Sequence, residues 1–232
     1  MGEKILPEHL QVVFDPTCKE YNGHDLVGYY KYDDEGVKAR PVPVVESGVF
    51  KAFLMSRSPV EDFPRSNGHG RAQAGFRPVA RQSNLLIESN APISEQQLRQ
   101  KLIDECKKQG KPFGLLFQDI QGGFTFTGRT IPNVFNVLPT EVYRLYADGR
   151  PDEVVRGVDL VGRPLVMFSM VSDAGDQFDL FTGVCGAESG GVPVSAVAPA
   201  LLVTQVEVQK KSKSQERPPI LPRPDGEGKF MQ

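Results

Sequence analysis

The residue types that most often bind metals or attack substrates are scarce in this chain of 232 residues. There are three cysteines, Cys18, Cys106 and Cys185, and three histidines, His9, His24 and His69. Cys185 stands in the run Phe181-Thr182-Gly183-Val184-Cys185-Gly186. A thiolate is a good soft ligand for zinc, at about 2.3 Å, and nearby glycines let the backbone approach a metal closely. A catalytic zinc takes three protein ligands and a water, so one cysteine cannot hold it alone. Read from its type alone, Cys185 is a small buried structural residue. The histidines do not complete a ligand set. No two are four apart, the spacing that puts two imidazoles on one helix face. His9 and His24 fall near turns and are expected to be exposed. His69 lies between Gly68 and Gly70, two residues before Arg71. It reads either as a substrate contact or as a solvated loop histidine. Arg71 suits a substrate carboxylate or a local acid equally well.

Other chemistries find no support. Asp33-Asp34-Glu35 reads as a turn, where aspartate is common for conformational reasons. Asp173 and Asp176 flank Gly175 in what reads as a loop, and neither group has calcium-loop spacing. There is no serine nucleophile elbow and no phosphate-binding glycine loop. A formal net charge of -2, from 27 basic and 29 acidic residues, leaves no footprint for nucleic acid or an anionic membrane.

The elements that must position these residues are mostly short strands. Glycine (23) and proline (19) are both abundant, which fits many turns better than a helix bundle. Hairpins are expected around Asp33 to Gly36, Ser47-Gly48 and Asp148-Gly149, where glycine accepts positive φ. Pro41 and Pro43 remove ladder donors and predict an edge position for their strand. Further strands are expected at Leu85–Ile87, Phe124–Thr127, Leu165–Val171 and Ala200–Val208. One helix is signalled clearly. Ser94 and Gln97 form a capping box, Leu98, Leu102, Ile103 and Cys106 share a face, and Gly110 supplies the stop. Cys106 is therefore expected in the core.

The three cysteines are widely spaced and odd in number, so no disulfide framework follows and a reducing, cytoplasmic setting is expected. The N-terminus has no apolar core of signal-peptide length. The longest apolar stretch, near 196–203, is too short to span a bilayer and contains Pro199. From Lys210 the composition changes: a charged run to Arg217, then a proline-rich run, Pro218 to Pro224. Residues 210–232 read as a flexible or surface-hugging arm, with a Pro-x-x-Pro match as the alternative.

Four segments in order carry a resemblance to a known family. They are Tyr32-Asp33-Asp34-Glu35-Gly36-Val37 with Val45 to Lys51; Ser66-Asn67-Gly68-His69-Gly70-Arg71 with Arg81-Gln82-Ser83-Asn84; Gln121-Gly122-Gly123; and Val158 to Gly162 with Thr182-Gly183-Val184-Cys185-Gly186 and Val192-Pro193-Val194. Together they resemble the C-terminal domain of TldD/PmbA zinc peptidases. The resemblance implies an α+β, β-dominated fold, with antiparallel hairpins curled into a barrel-like shell and one or two helices, over residues 1–209. It implies that Cys185 is a zinc ligand and that the loop of His69 and Arg71 lies near substrate. The family's His-Glu-x-x-x-His helix, which supplies the other ligands and a glutamate base, is not in these residues. Catalytic residues are thus expected to be absent here. Zinc is expected in the full-length protein and weakly bound, or not bound, by this chain. The implied function is the substrate-handling part of a zinc metallopeptidase acting on peptides or unfolded polypeptides, inactive alone. The alternative is a non-catalytic partner subunit or peptide-binding module. Expected partners are a peptide substrate and a homologous subunit, with no nucleic acid and no membrane.

Overall fold

The computed structural model describes residues 1–60, 62–127 and 132–211. Strands dominate. The first half contains β1 (Leu10–Phe14), β2 (Glu20–Tyr21), β3 (His24–Asp25), β4 (Val42–Glu46), β5 (Val49–Phe50), β6 (Gly70–Arg71), β7 (Val79–Ala80) and β8 (Asn84–Ser89). Helix α1 (Glu95–Lys108) follows, then β9 (Phe113–Phe126), β10 (Val134–Tyr146), β11 (Glu153–Val155) and β12 (Val158–Gly162). The rest comprises α2 (Pro164–Ser169), β13 (Val171–Ala187), β14 (Gly190–Val203) and β15 (Glu207–Lys210).

Six strands form one sheet in the order β13-β14-β8-β1-β4-β5. All its pairs are antiparallel except β14 with β8. Leu6, Leu10, Val12, Val45, Val171 and Ala174 are buried together as its core. A second sheet runs β11-β10-β12-β15, with β9 paired along β10. Two small ribbons, β2-β3 and β6-β7, complete the strands. The sheets are open, so the expected barrel-like shell is not seen. Closing the first sheet would require β13, of 17 residues, to pair with β5, of two.

Helix α1 sits between the sheets. Ser94 Oγ accepts from Gln97 N at 3.3 Å, and Gln97 Oε1 accepts from Ser94 N at 2.9 Å. The capping box thus forms as the spacing predicts, and Gly110 follows the helix at φ +65. A Cβ on Gly114 of β9 would lie 2.8 Å from Leu102, and one on Gly175 of β13 would lie 3.1 Å from Leu98. The two glycines let the helix approach both sheets. Cys106 is buried in this contact.

Other expectations fare differently. Hairpins β4-β5 and β10-β11 form at Ser47-Gly48 and Asp148-Gly149. The turn at Asp33 to Gly36 carries a single bridge, Tyr32 to Lys38, in place of a strand pair. Leu165–Val171 is not a strand. Pro164, with its fixed φ, starts helix α2 there, and the strand begins only at Val171. Asp173 and Asp176 lie within β13, not in a loop. Irregular pairing between Ala174 and Phe178 absorbs the polar residues without ending the strand. His24 is exposed as expected, whereas His9 is half-buried with its Nε2 enclosed. β15 runs through Lys210, and Lys211 pairs with Asp159 at 3.0 Å. The rest of the expected arm lies outside the described residues. No described helix is long and apolar enough to cross a membrane.

Candidate functional site

Most of the buried polar residues among those described lie in or against the first sheet, around the β13-β14 hairpin and the β6-β7 ribbon. Asp33, His69, Arg71, Arg81, Ser83, Asn84, Ser189 and Ser195 are all buried. Burial of so much polarity demands partners, and nearly every one is a backbone group.

The acidic turn serves main-chain amides. Asp33 Oδ1 accepts from Glu35 N at 3.0 Å and Val37 N at 2.8 Å, while its Oδ2 accepts from Gly70 N at 2.9 Å. Asp34 accepts from Ala72 N at 2.8 Å, and Glu35 accepts from Arg57 N at 2.6 Å. Asp33 and Asp34 thus bind the turn to the end of the β6-β7 ribbon, and Glu35 binds it to the segment that precedes β6. A Cβ on Gly70 would fall 2.2 Å from Glu35 Oε2, so the close approach itself calls for glycine. Asn84 repeats the pattern at the start of β8. It accepts from Gly28 N at 2.9 Å and donates to Cys18 O at 2.8 Å.

Two guanidinium groups then grip the end of the β13-β14 hairpin. Arg71 Nη1 donates to Gln82 O at 2.6 Å and to Pro193 O at 2.8 Å. Its guanidinium lies 4.8 Å from the centre of the Tyr30 ring. Burial holds the Arg71 pKa below its ordinary value, partly offset by Tyr30 and Asp34. Burial likewise pushes the Tyr30 hydroxyl upward, against the opposing pull of Arg71. Arg81 Nη1 donates to Ser189 Oγ at 2.6 Å and Gly190 O at 2.8 Å, and its Nη2 donates to the carbonyl of Cys185. Ser189 Oγ donates in turn to Arg71 O at 2.9 Å. Among the described residues, neither arginine forms an ion pair with a carboxylate. Of the two alternatives for Arg71, a local acid is not seen among the described residues; its partners there are carbonyls.

His69 is fully buried, at 0 % exposed. Its Nδ1 lies 3.4 Å from Asn67 O and its Nε2 lies 3.2 Å from Ser83 Oγ. A carbonyl can only accept, so Nδ1 carries the proton and Nε2 accepts from the serine hydroxyl. Burial, reinforced by the charges of Arg71 and Arg40, lowers its pKa from 6.5 to about 4, although the Asn67 carbonyl and Asp33 pull the other way. As folded, the ring has no surface to present to a substrate.

Cys185 is half-buried and lies across from Val192 in the β13-β14 ladder. All three cysteines are free thiols. Among the described residues, no three His, Cys, Asp or Glu side chains come together in a metal-binding group. The described residues therefore do not by themselves fit a zinc site. They offer it one sulfur. β13 is the outermost strand of its sheet, so from Asp176 to Ala187 one side of its backbone has no strand partner among the described residues. Phe181 and Val184 are exposed along this stretch.

The sequence reading singled out His69, Arg71 and Cys185, and the fold brings all three near one hairpin end. It missed Tyr30, Ser189 and the central place of Arg81. The signal for Arg81 was present: a charged residue opening the buried strand that starts at Asn84.

The described residues form an open-sheet β domain that carries one cysteine on its outermost strand, with Arg81 bonded to that cysteine's carbonyl and Arg71 to the facing strand at Pro193. Residues 1–210 match the PmbA/TldA metallopeptidase C-terminal domain, and the chain belongs to that family. A metalloprotease from Methanocaldococcus jannaschii is 29% identical over 195 residues, covering 84% of this chain and 39% of that protein. A protein from Saccharolobus solfataricus named a zinc metalloprotease TldD homolog is 22% identical over 185 residues, covering 76% of this chain and 37% of its own length. The solved structure of TldE from Thermococcus kodakarensis shares the fold, with a TM-score of 0.59 and 18% identity, over 90% of this chain and 41% of that one. The chain spans about two fifths of the length of the curated relatives it matches.

Proposed function

We propose that this chain is the C-terminal, substrate-handling part of a zinc metallopeptidase that acts on peptides or unfolded polypeptides. Cys185 lends the zinc one sulfur, and the other ligands and the general base come from residues outside this chain. The observation that carries the reading is the position of Cys185 on the free edge of β13. An extended peptide laid along that edge finds unpaired backbone donors and acceptors, with Phe181 and Val184 facing outward beside it. Binding through backbone groups reads little sequence, which suits broad substrates. Arg81 sets the Cys185 main chain from behind. In this reading the buried His69 and Arg71 serve substrate through the loop whose shape they hold. The free cysteines accord with a reducing, cytoplasmic setting.

The test is to express a protein extended to the length of the relatives, with and without Cys185→Ser, and measure bound zinc and cleavage of an unfolded peptide. The extended protein holds about one zinc and cuts, and Cys185→Ser loses both. The 232-residue chain alone binds zinc weakly and cuts nothing. Tight stoichiometric zinc in the short chain, or full zinc and activity in Cys185→Ser, would sink the proposal.

A second reading is a non-catalytic subunit that pairs with a catalytic homologue; the lack of a three-ligand group among the described residues accords with both readings. Here the chain raises the activity of a co-purified homologue, and Cys185→Ser leaves that effect unchanged.

A further inference from the structure

Strand β13 carries a side-chain pattern that its free backbone does not use. From Phe178 to Ala187 its pairing with β14 is regular, so alternate residues share a face. Asp179, Phe181, Gly183 and Cys185 lie on one face, and Leu180, Thr182 and Val184 on the other. Across the ladder, Val194 stands opposite Gly183 and Val192 opposite Cys185. Both valines are buried, at 7% and 1% exposed. A Cβ on Gly183 would stand 2.7 Å from Phe181 Cζ and 2.9 Å from its Cε1. The Phe181 ring thus reaches along the strand toward Cys185, into the space that a side chain at position 183 would fill. It is nonetheless 49% exposed. Covering its open side is favourable, and another ring or an aliphatic chain does so best.

The geometry of strand addition says what meets this ring. A peptide strand laid on the free edge of β13 places every second side chain on the same face. The one directly opposite Gly183 meets no side chain from that residue, and it comes against the open side of the Phe181 ring. Cys185 bounds this position in one direction along the strand. In the other, Asp179 is exposed and ends the apolar stretch. The face therefore suits one apolar side chain of the added strand, not a run of them.

We infer that Phe181 is a specificity-determining residue, whose ring takes one apolar or aromatic side chain of an extended peptide at the peptide residue opposite Gly183. Gly183 is a positioning residue, because only the lack of a side chain there lets the ring lie where it does. The inference rests on the edge-binding reading proposed above and adds to it a preference at a single substrate position. The other positions are held through backbone groups and stay tolerant.

Two short capped peptides of threonine and serine, one with a central tyrosine and one with serine in its place, test this on the 232-residue chain. Amide exchange reports whether they add to the edge, and fluorescence anisotropy reports affinity. Both peptides are expected to protect amides between residues 179 and 187, and the tyrosine peptide binds about fivefold more tightly. Phe181→Ala removes the preference, so that the two peptides bind alike, while Phe181→Leu retains part of it. Gly183→Ala also removes it. There only the far end of the ring has to move aside, and circular dichroism confirms that the variant is folded. Thr182→Ala, on the other face of the strand, keeps the preference. Protection at the edge with equal affinities, or a preference that survives Phe181→Ala, overturns this inference and spares the edge-binding reading. No protection of β13 by either peptide overturns both.

Discussion

Between pH 6.5 and about 4, acid should destabilise this domain chiefly through His69. The imidazole is buried as the neutral Nδ1–H form between the Asn67 carbonyl and the Ser83 hydroxyl. Its pKa falls from 6.5 to about 4 in the folded state, chiefly by burial. A lowered histidine pKa means that the unfolded chain binds the proton first. Stability is then full above pH 6.5 and declines as pH falls toward 4, where the folded form finally takes the proton too. At about 1.4 kcal/mol for each pKa unit, the total loss is about 3 kcal/mol as an order-of-magnitude ceiling. Urea unfolding at a series of pH values measures it, with His69→Gln as the comparison. The variant is less stable at neutral pH but loses the part of the slope between these limits. The reasoning is refuted if wild type and variant show the same pH dependence. It is equally refuted if the His69 ring protons titrate by NMR near 6.5.

Three further perturbations test the scaffold. Arg81→Leu strips Ser189 Oγ, Gly190 O and the Cys185 carbonyl of their donor, and should lower stability by about 3 kcal/mol. Amide exchange should rise across residues 185–191, and protection left unchanged there would argue against the clamp. Gly48→Ala forces a left-handed φ of +75 on alanine and puts its Cβ 2.3 Å from Leu6 O, so a loss of about 2 kcal/mol or more is expected in chemical denaturation. Ser94→Ala removes the N-cap of α1 and should cost about 1 kcal/mol, read from the urea midpoint.

Local signals were legible and distant ones were not. The capping box, the stop at Gly110 and the burial of Cys106 follow from spacings within one helix, so a window of the sequence contains their cause. The hairpins at Ser47-Gly48 and Asp148-Gly149 are set by two residues that accept turn geometry. Leu165–Val171 misled because a short apolar run suits either helix or strand, and Pro164 decided the matter by starting a helix. β13 misled in the opposite sense. Asp173, Gly175 and Asp176 read as a loop, but β14 supplies a ladder on one side and Lys101 pairs with Asp173 at 2.5 Å. Partners that far along the chain leave no trace in a local window.

The site divides along the same line. The sequence by itself determined which residues could do chemistry, that no pair of histidines could share a helix face, and that Cys185 lay in a glycine-flanked run of a recognisable family pattern. Only the tertiary structure decided what each of them touches. It buried His69 by closing Tyr30 and Ser83 around a loop that reads as exposed. It turned Arg71 and Arg81 from surface charges into clamps on carbonyls more than a hundred positions away. It made β13 an edge. Residue type and local spacing set the chemistry available, because covalent geometry acts over a few residues. Burial, which sets the protonation of His69 and the role of each guanidinium, depends on surfaces that only folding brings together.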